Sequence, residues 1–247
     1  MSDESLVVKP RDYSDIAKLQ DPGVLEQFLD QPLTASLEAI TGAFANGGKG
    51  LIVSAARIAQ ALVKGQMYDQ IAEELRRLRE AGKIPGNLGE TKYGLYTWAE
   101  LMAIIDNECP DPERLEALKA MFFAVNKVNI SDGQRMAAYQ LWLITKQLNS
   151  GELLLLKVVN EERTKPNPNF IDYFRWANHM AGASGNGVTG LVDLYEKRLT
   201  ELCLLTARYG PDLSAITSDN ARMSDLGIRV CENIKTYQNV MDEINRP

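Results

Sequence analysis

Apolar residues recur every three or four positions along most of the chain, which is the period of an α-helix. In the segment DQIAEELRRLREAGK, the apolar positions on one face are Ile71, Leu75 and Leu78. Glu73 and Arg77 are four residues apart, a spacing at which opposite charges attract on a helix surface. Gly82 follows as a stop signal. The pattern predicts an amphipathic helix that continues the apolar run 51–68.

The same period predicts helices in four further segments. LYTWAELMAIIDNECP ends at a proline, and PERLEALKAMFFAVNKV carries Leu115, Leu118, Phe122 and Val125 on one side. QRMAAYQLWLITKQL is apolar around most of its circumference, which predicts a central helix. LVDLYEKRLTELCLLTA reads as amphipathic, with an apolar face made by Leu191, Leu194 or Tyr195, Leu199 and Leu202.

A different pattern precedes the last helix. The sequence predicts a short strand at SAIT, a turn at 218–220 and a return strand at ARMS. Ser224 and Asp225 then cap a helix, in which Gly227 is expected to permit close contact with a neighbour. We therefore expect an all-α fold with a small C-terminal winged-helix-like β-hairpin. Its predicted parts are an acidic arm (1–35), a helical domain (36–134) and a winged-helix-like helical domain (135–247).

A winged-helix unit can place a helix in the major groove of DNA. The helix in that position carries Lys197 and Arg198 as candidate DNA-binding residues, against Asp193, Glu196 and Glu201. Two positive charges against three negative ones are poorly suited to neutralising phosphates. We therefore do not expect nucleic acid as a partner. A winged-helix DNA-binding transcriptional regulator is kept as the alternative function, because the predicted fold would allow it.

Charge and cysteine usage narrow the class of protein. The chain has 247 residues, a net charge of −6 and three cysteines without metal-ligand spacing. The N-terminal MSDESLVV lacks the basic and apolar layout of a signal peptide, and no apolar run of membrane-spanning length occurs. These features predict a cytoplasmic protein.

The sequence offers little catalytic chemistry. His179 is its one histidine, and a catalytic base needs a nucleophile and an orienting partner. The segment ANGGKG is not a phosphate-binding loop, because Ala43 and Gly50 stand where that loop needs Gly and Ser or Thr. We therefore predict no enzyme activity, catalytic residue, cofactor or metal site.

The segment 51–64 is nearly apolar all round, which is typical of a core helix or of a helix lying in a lipid interface. Its candidate membrane-binding or partner-binding residues are Leu51, Ile52, Arg57, Ile58, Leu62 and Lys64. Residues 1–38 hold three basic and eight acidic side chains, whereas residues 39–84 hold seven basic and four acidic ones. The acidic arm could therefore screen this segment.

Several segments resemble the Abi-alpha family, a helical family associated with abortive infection, which is a phage-defence response. The resemblance lies in ANGGKGLIVSAARIAQALVKG, RRLREAGKIPGN, LKAMFFAVNK, and LTELCLL followed by MSDLGIRVCENI. It implies a defence-linked helical protein and brings no catalytic residues with it. The function we expect is a non-enzymatic effector that acts through a protein partner, a homo-oligomer or a peripheral membrane contact.

Overall fold

The structure, a computed structural model, describes residues 51–88, 91–165, 175–207 and 222–246. For residues 51–62 it describes the backbone and not the side chains. Eight α-helices lie within these ranges: α1 (Leu51–Glu80), α2 (Lys92–Glu108), α3 (Pro112–Asn126), α4 (Asp132–Thr145), α5 (Ser150–Arg163), α6 (Trp176–Ala183), α7 (Thr189–Glu201) and α8 (Asp225–Ile244).

The predicted C-terminal β-hairpin is wrong, because the described residues are all-helical and contain no strand. SAIT lies outside these residues, and in place of a return strand the chain forms a turn. Arg222 adopts a left-handed conformation with φ at 64°, and Met223 makes one isolated antiparallel bridge to Leu205. Ser224 Oγ then accepts a hydrogen bond from Gly227 N at 3.0 Å, which begins α8. The winged-helix interpretation therefore falls.

The chain divides into two compact units. Of the described residues, the first unit comprises 51–88, 91–110, 126–130 and 244–246, and the second comprises 111–125, 131–165, 175–207 and 222–243. The predicted acidic arm, residues 1–35, lies outside the described residues. The predicted domain boundaries stay predictions, although α3 is grouped here with the later helices.

In the first unit, the prediction for the second half of α1 is confirmed. The apolar face is buried at Ile71, Leu75 and Leu78. Arg77 Nε lies 2.7 Å from Glu73 Oε1, and Gly82 ends the segment with φ at 64°. Lys83 O then accepts a hydrogen bond from Val128 N at 3.1 Å.

Thr91 and Asn126, the last residue of α3, make hydrogen bonds at the start of α2. The Thr91 side chain caps α2 by accepting a hydrogen bond from Gly94 N at 3.0 Å. Buried Asn126 donates to Thr97 Oγ1 at 3.2 Å. A Cβ at position 94 would collide with the Leu88 carbonyl oxygen, so glycine permits this close approach.

In the second unit, α3 is more enclosed than the sequence indicates. The predicted face is buried, and so are Lys119, Met121 and Phe123 on other sides of the helix. The expectation of a central helix at 134–148 is wrong, because α4 buries one stripe and leaves Met136 56% exposed. The sequence does not indicate which apolar residues of α4 are exposed, because a methionine can lie either in the core or on the surface.

Capping boxes begin α4 and α5. In α4, Ser131 Oγ accepts from Gln134 N at 3.2 Å, and Gln134 Oε1 accepts from Ser131 N at 2.8 Å. In α5, Asn149 and Glu152 make the equivalent pair of bonds, each 2.9 Å long. Asn149 is therefore the N-cap residue of α5. α7 packs against both α5 and α6.

Candidate functional site

The predicted apolar face of α7 is confirmed at Leu199, which is buried, and wrong at Leu191 and Leu194. The buried residues of α7 are Val192, Glu196 and Leu199. Leu194 is 60% exposed and Leu191 is 36% exposed, although both belong to the predicted apolar face. At 3.6 residues per turn, Leu194 lies about 160° around the helix from Glu196. The helix therefore buries a carboxylate and turns leucines outward.

A buried ion pair explains why Glu196 faces inward. Arg222 Nη1 contacts Glu196 Oε1, and the two side chains are only 3% and 7% exposed. The Arg222 guanidinium also donates to Thr206 O and lies 5.1 Å from the centre of the Trp176 ring, which is fully buried. A buried charge without a partner is costly, so this set of contacts fixes the rotation of α7.

The backbone around Arg222 joins the end of α7 to the start of α8. Thr206 N donates to Arg222 O at 2.8 Å, and Ser224 N donates to Leu204 O at 3.1 Å. A Cβ at Gly227 would collide with the Leu204 carbonyl oxygen. The predicted close approach at Gly227 is thus confirmed, and the neighbour is the segment that follows α7.

A second buried carboxylate joins α5 to α6. Glu162 Oε1 lies 2.5 Å from Lys165 Nζ and 3.3 Å from His179 Nε2. Burial raises the pKa of Glu162, but hydrogen bonds from Lys165 and His179 outweigh burial and hold this pKa below its usual 4.5. His179 therefore contacts a buried carboxylate that joins two helices.

The outward side of α7 presents an apolar surface, which we call the outer face. It consists of Val188, Leu191 and Leu194, with Val188 being 50% exposed at the N-cap position. A Cβ built at Gly187 or Gly190 would meet no atom within 4 Å, so the space beside these residues is open. Exposed large apolar side chains that cluster on one helix face are typical of interaction sites.

The two ends of α7 differ in charge. Its N-terminus has no side-chain cap and no acidic residue in the first turn. Its C-terminal part carries the predicted DNA-binding residues, of which Lys197 is exposed and Arg198 lies 3.5 Å from Glu201. Arg198 also donates to Gln147 Oε1 at 3.3 Å. The structure therefore gives Arg198 contacts within its own unit.

The predicted membrane-binding or partner-binding residues lie in the first half of α1. The side chains of Leu51, Ile52, Arg57, Ile58 and Leu62 are outside the described part, so their role stays a prediction. Lys64 is half-buried and donates to the Asp106 carbonyl oxygen, beside the bond from Tyr68 to the Asp106 carboxylate. Among the described helices, none combines the length and apolar composition needed to cross a membrane.

Sequence reasoning missed Glu196, Arg222 and Glu162. Glu196 lies four residues after Val192 and three before Leu199, so its spacing places a carboxylate on an apolar stripe. That signal was available. The partner Arg222 follows 26 residues later, and nothing local in the sequence joins the two.

Two further searches concern a possible metal centre among the described residues and similarity to known proteins. Within these ranges, no three His, Cys, Asp or Glu side chains come close enough together to hold a metal ion. Comparison with protein-family models, with curated proteins and with solved structures found no match for this chain. The exposed apolar side chains of the outer face of α7 carry the functional proposal.

Proposed function

We propose that this chain is a non-enzymatic interaction protein that binds a protein partner through the outer face of α7. The observation that carries the proposal is Leu194, which is 60% exposed on the side of the helix opposite the buried Glu196. The Glu196–Arg222 pair fixes this orientation of the helix, and Leu194 therefore faces solvent. A rigid helix that presents leucines to solvent suits protein recognition.

The remaining polar chemistry supports a binding role over catalysis. His179 and Glu162 hold α6 to α5, and Arg222 holds α7 in place. A catalytic constellation needs a nucleophile and a base within hydrogen-bond reach. Each charged group in these two clusters has a role in packing, which favours an interaction protein.

The defence role is supported by the sequence resemblance to the Abi-alpha family. If it holds, host cells that express the chain reduce phage yield relative to cells that lack it. The Leu194→Glu variant loses this protection, whereas Met136→Glu, which changes a 56% exposed side chain on α4, retains it. Equal phage yields with and without the chain would contradict the defence role and leave the binding role standing.

The binding role is tested by a photo-crosslinking amino acid placed at position 194, with position 136 as the matched exposed control. In host cells we expect a polypeptide adduct at position 194 that is absent at position 136. With the identified partner purified, Leu194→Glu should then weaken binding. An absence of any adduct specific to position 194 would contradict the proposal.

A membrane surface is the competing occupant of an exposed apolar face, and a liposome experiment separates the two. We expect the full chain to stay unbound when floated with vesicles of anionic phospholipid. Flotation that Leu194→Glu abolishes and Met136→Glu does not would assign the outer face to membrane and overturn the protein-partner proposal.

A further inference from the structure

We propose that Asn186 is a site of spontaneous covalent modification, which the chain itself converts to aspartate and isoaspartate through a cyclic imide formed with Gly187. Asn186 lies in the connection between α6 and α7, two residues before the N-cap of α7. The observation that carries the inference is the Asn186 side chain, whose Oδ1 accepts a hydrogen bond from Val188 N at 2.8 Å. The inference does not depend on the proposed function, because it concerns the reactivity of this connection and not the occupant of the outer face.

The hydrogen bond from Val188 brings the reacting atoms together. Gly187 N lies between Asn186 and Val188 in the chain, so a side chain that reaches the Val188 N–H has its carbonyl carbon folded over Gly187 N. The same N–H polarises the carbonyl group and donates to its oxygen as negative charge develops there. A reacting group that is already held in position reacts far faster than one that has to find its position first.

Glycine at position 187 makes the attacking nitrogen approachable. A Cβ built there would meet no atom within 4 Å, so the described residues leave this position open. Gly185 and Gly187 both adopt left-handed conformations, with φ at 70° and 64°, which glycine tolerates best. No neighbouring side chain therefore flanks Asn186 along the chain, and the exposure of Gly187 gives water access to the imide.

The reaction needs water and neither an enzyme nor a cofactor. Gly187 N loses its proton to solvent and attacks the side-chain carbonyl carbon of Asn186, which forms a carbon–nitrogen bond and releases the side-chain nitrogen as ammonia. Water then adds to one of the two imide carbonyl groups and opens the ring. Addition at the side-chain carbonyl gives aspartate, whereas addition at the main-chain carbonyl gives isoaspartate, in which the main chain runs through the former side chain.

One hydrogen bond of the native chain opposes the attack. Gly187 N donates to Ala181 O of α6 at 3.1 Å, and this bond has to open before the nitrogen can lose its proton. Opening a single bond in an exposed connection costs much less than unfolding the second unit. We therefore expect conversion in the native chain, at a lower rate than in the unfolded chain.

The two products should act differently on α7. Aspartate keeps an oxygen for Val188 N and adds a negative charge before a first turn that has neither a side-chain cap nor an acidic residue. Isoaspartate lengthens the main chain by the methylene of residue 186 and so moves Gly187 N away from Ala181 O. We expect Asn186→Asp to raise the midpoint of thermal unfolding by about 1–4 °C. A midpoint that does not rise would contradict this effect of the charge.

Asn149 provides the matched control for the geometry. It is exposed, whereas Asn186 is half-buried, so exposure alone would make Asn149 the more reactive of the two. Its Oδ1 accepts from Glu152 N at 2.9 Å, which draws the side chain three residues along the chain and not two. The following residue is Ser150, whose side chain crowds the attacking nitrogen. We therefore expect Asn149 to keep its amide.

Peptide mapping by mass spectrometry tests the inference on the full chain at pH 8 and physiological temperature. The native sample is incubated several times longer than the urea-unfolded chain needs for conversion, and mapping separates Asn186 from Asn46, which also precedes a glycine. We expect aspartate and isoaspartate to accumulate at position 186 and not at position 149. Asn186→Gln should stay unmodified at this position, because its longer side chain would need a larger ring. A native chain that retains Asn186, or that converts Asn149 as fast, overturns the inference.

Discussion

Arg222 and Glu196 form an ion pair inside the second unit, with 3% and 7% of their side chains exposed. Glu196 belongs to α7, and Arg222 lies in the turn before α8. The pair holds Glu196 towards the core on the same stripe as the buried Val192 and Leu199. Leu194 consequently faces outward.

Removing one partner of this pair should strongly destabilise the second unit. We expect Arg222→Met to lower the free energy of unfolding by about 3–5 kcal/mol, because it leaves Glu196 buried without its counter-charge. The double variant Arg222→Met/Glu196→Met should recover much of that loss. Urea unfolding followed by circular dichroism measures both effects.

The matched control is the exposed pair on the same helix. Arg198→Met removes a surface contact with Glu201 and should cost no more than about 1 kcal/mol. If the double variant at positions 196 and 222 loses the full sum of the two single losses, the two residues are not coupled and the account of how α7 is oriented is wrong.

Two glycine-to-alanine variants should change stability in opposite directions. Gly227→Ala should destabilise the chain, because its Cβ meets the Leu204 carbonyl oxygen, which is backbone and cannot rotate away. Gly190→Ala should stabilise it by about 1 kcal/mol, because the helical position is open and alanine is the better helix former. Equal effects in thermal unfolding would contradict the close approach at Gly227.

Much of the helical pattern could be predicted from the sequence, because local periodicity decides where a helix forms. The face of α1 at Ile71, Leu75 and Leu78 is an example, since each position is also buried. The predicted face of α7 is right at Leu199, which is buried, and wrong at Leu191 and Leu194, which the fold exposes. The apolar count favours Leu194, whereas the contact with distant Arg222 favours Glu196.

The β-hairpin failed for a related reason. ARMS has the composition of a short strand bounded by turn residues, but Arg222 is drawn into the core and Ser224 caps α8. Both roles depend on residues of other segments: Glu196 accepts the arginine, and Leu204 O accepts the serine N–H. Neither contact has a signature within the four residues themselves.

Lowering the pH should weaken the contact between α5 and α6. The pKa of Glu162 lies below its ordinary 4.5 in the folded chain, so its carboxylate stabilises the fold above that pH. This stability is lost as the pH falls from 4.5 through the folded pKa. Glu162→Gln should therefore reduce the free energy of unfolding at pH 7, and the reduction should shrink below pH 4.5.

The control for this pH series is Glu161→Gln, which changes the exposed neighbouring carboxylate. We expect it to follow the wild-type curve in urea unfolding from pH 7 to pH 3. A Glu162→Gln variant whose deficit is the same at every pH would show that its effect does not come from the charge.

The thiols of Cys203 and Cys231 should react at different rates with a thiol reagent at pH 8. Burial raises the pKa of Cys231 to about 12, so about one molecule in ten thousand carries the reactive thiolate there. Cys203 is exposed and should label in the native chain, whereas Cys231 should label after unfolding. Rapid native labelling of Cys231, identified by peptide mapping, would contradict the burial of α8 at this position.

The most direct test of the central claim is the labelling rate of a cysteine at position 194 of a Cys203→Ser chain, with cysteines at positions 136 and 199 as controls. The account predicts that positions 194 and 136 label quickly in the native chain, because Leu194 and Met136 are 60% and 56% exposed. Position 199, where Leu199 is fully buried, should label only after unfolding. Slow labelling at position 194 beside fast labelling at position 136 would place residue 194 in the core and contradict the account.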